Sequence, residues 1–209
     1  MRISVVGLGY LGAVHATALA SVGFDVIGVD LDSEKVAALA GGVPPFHEPR
    51  FDELLTQTLA SGRLRFSTDT ADVADCDIHF LCVGTPQQAD GVAADLSQVW
   101  DALDSLLPLM SDDSVLVGKS TVPVGTAAQI VERLRESGSR TTVLWNPEFL
   151  REGFAVRDTL EPDRIVVGAT SDPRGNEAIA RLRQVYAAPI SAGTPVLVTD
   201  HAPAGLGKV

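Results

Sequence analysis

Short apolar runs and longer stretches of helical period alternate along nearly the whole chain. The runs are ISVV (3–6), DVIGV (25–29), DIHFLCV (77–83), SVLVG (114–118), TVLW (142–145), RIVVGA (164–169) and PVLVT (195–199). They are rich in β-branched residues and nearly continuous, the pattern of strands covered on both faces of a parallel sheet. Between them, residues 11–23, 33–42, 96–107, 124–138 and 175–187 carry apolar positions at helical spacing. Such alternation predicts one α/β domain over residues 1–200 with a doubly wound, mostly parallel sheet of Rossmann type. One connection breaks the rhythm. In GGVPPFHEPRFDELL (41–55), Pro44, Pro45 and Pro49 forbid a continuous helix.

Composition narrows the function classes. The 209 residues are 45% hydrophobic, enough for a sizeable core, and the formal charge of −11 disfavours nucleic acid or an anionic membrane as partner. No apolar run approaches about 18 residues, so no transmembrane helix is expected. The glycine-broken N-terminus does not read as a signal peptide. The two cysteines, Cys76 and Cys82, suit buried, reduced thiols in a cytoplasmic protein. No His, Cys or carboxylate spacing suggests a metal, and His15 and His79 read as packing residues.

The first chemical signal is Gly7-Leu8-Gly9-Tyr10-Leu11-Gly12 between a strand and a helix, with Asp30 ending the next strand 18 residues after Gly12. Gly7 permits the tight turn, Gly9 lets backbone approach a pyrophosphate, and Gly12 lets helix and strand pack closely. The helix N-terminus then offers free N–H groups to phosphate. Asp30 can accept from ribose hydroxyls and would repel a 2′-phosphate, which favours NAD over NADP. The bland reading of Asp30 is a solvated strand end. Lys35 fits either the adenosine ribose or an exposed helix position.

Three further motifs also follow strands: Val83-Gly84-Thr85-Pro86, Lys119-Ser120-Thr121-Val122-Pro123, and Asn146-Pro147-Glu148 within WNPEFLREG. Parallel strands end on one sheet edge, so Gly7, Asp30, Thr85, Thr121 and Glu148 are expected to gather there. Thr121 alone could be a plain turn residue or a helix cap. Glu148 and Glu152 alone could be a solvated pair on a short helix.

GLGYLG, VGTP, GKSTVPVGTA and WNPEFLREG, in this order, resemble the UDP-glucose/GDP-mannose dehydrogenase family, and its UDP-glucose-oxidising members most. The resemblance covers residues 1 to about 200. It implies oxidation of a sugar C6 alcohol to the carboxylate, UDP-glucose to UDP-glucuronate, with two NAD and a thioester on a cysteine. It also implies that full-length members are homodimers. Glu148 matches the general base of thioester hydrolysis. Residues Glu148, Phe149, Leu150, Arg151 and Glu152 match the loop that holds the nucleotide sugar, with Glu152 near the nicotinamide. Thr121 matches a hydroxyl that orients water, and Ser120 lies beside the cofactor with Gly84, Thr85 and Pro86.

The chain departs from that pattern. Neither cysteine matches the nucleophile, which family members carry in a further domain. Residues 201–209 resemble the start of a linking helix, expected to be poorly ordered because of Pro203, Gly205 and Gly207. Lys208 there matches a catalytic lysine by spacing, or is only a frayed end. Arg50 replaces the usual glycine, and His47 an aromatic residue. The stretch alone is expected to bind cofactor without completing turnover. Open alternatives are an NAD-binding module, a dehydrogenase for GDP-mannose or another nucleotide sugar, or a hydroxyacid-type dehydrogenase.

Overall fold

The β-branched runs form strands within a few residues of the expected bounds. The computed structural model describes residues 1–88, 91 and 93–200. The chain begins β1 (Arg2–Val6), α1 (Tyr10–Ser21), β2 (Asp25–Val29), α2 (Ser33–Ala40), α3 (Phe51–Ala60) and β3 (Leu64–Ser67). It continues β4 (Ile78–Leu81), α4 (Ser97–Leu106), β5 (Val115–Gly118), α5 (Thr126–Glu136) and β6 (Thr142–Trp145). Last come α6 (Ala155–Leu160), β7 (Ile165–Gly168), α7 (Pro173–Val185), α8 (Ala187–Ser191) and β8 (Val196–Thr199). Lys208 and the rest of 201–209 lie outside the described residues.

One eight-stranded sheet runs β3-β2-β1-β4-β5-β6-β7-β8. Neighbours are parallel except β6 and β7, which meet antiparallel at Trp145 and Gly168. The strands β1 to β6 therefore end on a common edge, while β7 and β8 run the other way. That qualifies the expectation of one shared edge, although none of the candidate residues within the described part of the chain follows β7 or β8. Strand order reverses between β1 and β4, the switch point at which open α/β sheets form their ligand crevice.

Successive strand residues face opposite sides of the sheet and build two cores. Ile3, Val5, Phe80 and Leu144 pack with α1, α3 and α7. Val6, Leu81, Leu116 and Trp145 pack with α4 and α5. Each large side chain buried this way contributes about 1.5–3 kcal/mol. Helix α1 is buried over the whole run Gly12–Ala20, which explains its uniformly apolar sequence.

Four elements escape the sequence pattern: β3, α3 and the short helices α6 and α8. β3 is a short edge strand that exposes Arg65, so it lacks a continuous apolar run. α3 starts directly after the prolines of 44–49 and buries Phe51, Leu55 and Thr58 on one stripe. Its N-cap Arg50 has φ 67, the one left-handed non-glycine among the described residues. The usual glycine would sit there without strain. Arg50 leaves the fold intact but costs about 1–2 kcal/mol of local strain.

Candidate functional site

The turn from β1 to α1 is set by two glycines. Gly7 takes φ 92, and a Cβ on it would lie 2.7 Å from the Val83 nitrogen at the end of β4. A Cβ on Gly12 would collide with the Gly7 carbonyl. Gly9 is different: a Cβ there would meet nothing within 4 Å. It projects into a crevice of about 580 Å³ at the switch point, lined among others by Gly7, Gly9, Asp30, Lys35 and Gly84. No side chain caps the N-terminus of α1. The backbone N–H groups and positive dipole end there suit a phosphate. An open cradle over Gly9 therefore fits a dinucleotide. Leu8, Tyr10, Leu11 and Gly12 support the turn without lining that crevice: Leu8 is fully buried, and Leu11 faces a second cavity.

Asp30 is no solvated strand end. Its side chain is 14% exposed. Oδ2 accepts from the Leu8 N–H (2.7 Å) and Lys35 Nζ (3.0 Å), and Oδ1 accepts from the Asp32 N–H (3.0 Å). Burial works to raise its pKa, but the bonds from Asp32, Leu8 and Lys35 outweigh it and hold the carboxyl below the usual range. Lys35 is thereby paired within the crevice rather than left on an exposed helix face.

Hydroxyls after β4 and β5 tie the two strand ends together. Thr85 Oγ1 donates to the Thr121 carbonyl (2.8 Å), and Ser120 Oγ donates to the Val83 carbonyl (2.6 Å). The Thr121 side chain is exposed and does not cap α5, whose N-cap is Gly125. Pro86 is also exposed.

WNPEFLREG continues β6 as a loop, not as a helix, so the reading of Glu148 and Glu152 as a helical pair falls. Glu148 Oε2 accepts from the Leu150 N–H (2.8 Å), a local bond that curls the loop. Arg151 grips Asp158 through two nitrogens (2.6 and 3.0 Å), and this pairing draws the Asp158 pKa down. The Phe149 ring lies against the Arg164 guanidinium at 4.4 Å. Glu152 is exposed, next to Gly153 at φ 80. Beneath the loop is a cavity of about 250 Å³, lined by His15, Lys119, Asn146, Glu148, Arg164 and Tyr186 among others.

Three supports of this loop reach it from distant parts of the chain. Lys119 Nζ donates to Asn146 Oδ1 (3.1 Å) and to the Tyr186 hydroxyl (3.3 Å). Tyr186 in turn donates to Asn146 Oδ1 (2.7 Å). Glu48 Oε2 accepts from the Tyr10 hydroxyl (2.5 Å) and the Gly153 N–H (3.0 Å). Burial and the bond to Glu48 push the Tyr10 pKa up to about 12. Only the glutamate's place between prolines hinted at Glu48.

Two histidines and both cysteines are shifted mainly by burial. His15 is fully enclosed and its pKa lies well below the ordinary value, from burial first and the Lys119 charge second. Its ring packs edge-on against Phe80, and Nε2 has no hydrogen-bond partner. His79 Nδ1 shares a 2.8 Å bond with Ser4 Oγ, and burial brings its pKa down to about 4. Burial raises the Cys76 thiol to about 11 and the Cys82 thiol to about 12. Among the described residues no helix is long and apolar enough to cross a membrane, and no cluster of three potential metal ligands occurs.

Comparison with known proteins agrees with this geometry. The chain is 42% identical over 191 residues to a UDP-glucose 6-dehydrogenase of Rhizobium meliloti, covering 89% of the chain and 44% of that protein. A UDP-glucose dehydrogenase structure from Pyrobaculum islandicum superposes with a TM-score of 0.88 at 39% identity, over 99% of this chain and 48% of that one. A GDP-mannose dehydrogenase structure from Pseudomonas aeruginosa gives 0.89 at 33% identity, with 99% and 48% covered. The chain thus spans under half the length of these relatives. The family model for the NAD binding domain of the UDP-glucose/GDP-mannose dehydrogenases matches residues 1–190. With its cofactor crevice built by Gly7, Gly9 and Asp30, the chain belongs to the UDP-glucose/GDP-mannose dehydrogenase family and contains that family's NAD-binding domain.

Proposed function

We propose that this chain forms the NAD-binding and sugar-positioning part of an enzyme that oxidises UDP-glucose to UDP-glucuronate. One observation carries the reading. A cradle for a dinucleotide and a loop bearing Glu148 both follow strands that end on the same sheet edge. NAD, when bound, supplies the hydride acceptor. The chain's own residues bind, orient and move protons. Asp30 Oδ1 accepts from the Asp32 N–H and keeps a lone pair for one adenosine ribose hydroxyl without displacing Lys35. A 2′-phosphate would meet its charge. Glu148 acts as general base on the water that releases the acid, a role that asks for a carboxylate held beside the reacting carbon. Thr121, exposed after β5, orients that water, while Glu152 and Ser120 border the nicotinamide side.

Cys76 and Cys82 are both buried and poorly ionised, so the thiolate for the second oxidation comes from residues other than these. Lys208 remains a candidate proton carrier by spacing alone. Two buried free thiols fit a cytoplasmic, reducing setting. The test is to supply NAD and UDP-glucose, and to follow NADH together with UDP-glucuronate. The chain alone should bind NAD and release no acid, and adding a family member's cysteine-bearing half should start acid production. Oxidation of GDP-mannose in preference to UDP-glucose would move the substrate to the second branch of the family. Steady acid production by residues 1–209 alone would overturn the division of labour.

A further inference from the structure

Among the described Asp, Glu, Lys and Arg residues, Glu48 and Lys119 are the two that are buried, at 2% and 6% exposure. A buried charge is costly unless hydrogen-bonded, and an apolar side chain of similar size would fill the same space without that cost. Packing therefore does not account for either group. Both serve one loop, from opposite ends.

At the upstream end, the Lys119 ammonium and the Tyr186 hydroxyl converge on Asn146 Oδ1, and Asn146 Nδ2 donates to the Val166 carbonyl at 2.8 Å. Asn146 is thus fastened to β7 and α7 as it leaves β6. At the downstream end, Glu48 accepts from the Gly153 N–H (3.0 Å) and from the Val156 N–H (3.3 Å) in the first turn of α6. Tyr10, the first residue of α1, donates to the same carboxylate. Phe46 keeps the Glu48 segment in place by an edge contact with Tyr10 (4.9 Å between ring centres) and by stacking on Phe51 (5.2 Å). Between these anchors lie Glu148 and Glu152.

We propose that Lys119 and Glu48 are positioning residues: a buried cation and a buried anion that fix the two ends of the 146–153 loop, so that Glu148 holds its place against the sugar nucleotide. The catalytic half of this proposal rests on the function proposed above; the clamp itself does not. The test uses Lys119→Met and Glu48→Gln. In each variant, NMR should show loop amides, Gly153 and Val156 above all, exchanging about tenfold faster. Calorimetry should show NAD affinity unchanged. Lys119→Met leaves Asn146 Oδ1 its bond from Tyr186 and should lower global stability by only about tenfold in the folding equilibrium, which separates positioning from simple support. In the enzyme assembled with a family member's cysteine-bearing half, kcat should fall by about a hundredfold while the KM for NAD holds. Glu48→Gln, which keeps one accepting oxygen, should retain more activity than Glu48→Ala. Unchanged loop exchange in both variants overturns the clamp. So does a loss of NAD affinity that parallels the loss of kcat. An assembled enzyme that oxidises no sugar nucleotide would defeat the proposed function, and the exchange measurement would still decide the clamp.

Discussion

The dinucleotide turn and the 146–153 loop lie on the same sheet edge but are built in different ways. The turn is made by backbone: Gly7 and Gly12 remove side chains where strand, helix and carbonyl must nearly touch. Its one carboxylate, Asp30, is satisfied from residues 2, 5 and 22 positions away. The loop is made by side chains. Its anchors reach it from 27 positions away for Lys119, 40 for Tyr186 and 105 for Glu48. A site held by short-range backbone geometry is written in a motif. A site held by distant buried charges exists only once the sheet has assembled.

The largest expected break falls on the turn. Gly12→Val drives a branched side chain into the Gly7 carbonyl and the Cys82 side chain, which backbone cannot easily yield. Urea unfolding should show a loss of about 3 kcal/mol. NAD binding should vanish with it, whereas Glu48→Gln spares NAD.

Acid sharpens the contrast next. His79 titrates at about 4 in the folded chain, below its ordinary 6.5, because it is buried. An unfolded chain takes up that proton as pH falls through 6.5 while the native chain does not, so stability is present above 6.5 and is lost below it. From pH 7 to 5 this one group costs about 2 kcal/mol. His15, beneath the loop, acts in the same direction. Asp30 has a lowered pKa, so its contribution survives above the ordinary carboxylate value and fades only at lower pH. Unfolding free energy should therefore drop between pH 7 and 5 while the crevice keeps its charge. A flat profile there would contradict the buried neutral imidazoles.

The smallest effect concerns the segment that carries Glu48. Arg50→Gly should relieve the left-handed strain at φ 67. Against the extra freedom of glycine in the unfolded chain, the net gain is about 0.5–1 kcal/mol. Thermal melting should register it as a small rise.

The same contrast explains what could be read from sequence. Seven of the strands and the helices of continuous period were legible, because burial on both faces leaves an unbroken apolar run. β3 was not, since an edge strand can expose Arg65. Nor was α3, because three prolines drew attention to the loop before it. The reversal of β7 and β8 was hidden because an apolar run has no direction. In the site, Gly7, Gly9 and Asp30 announced a crevice at the switch point. Lys119 was quoted within its motif, yet its bonds to Asn146 and Tyr186 depend on tertiary packing, and Glu48 between its prolines gave no sign of the amides it would meet.

A dinucleotide across the Gly7–Gly12 turn is expected to set its adenosine ribose on Asp30. Calorimetry of NAD and NADP against the unmodified chain and Asp30→Ala tests it most directly. The unmodified chain should bind NAD more tightly than NADP. Asp30→Ala should weaken NAD by about thirtyfold and NADP far less, as loss of a charged hydrogen-bond acceptor requires. NADP bound as tightly as NAD by the unmodified chain, or NAD affinity unmoved by Asp30→Ala, would contradict it.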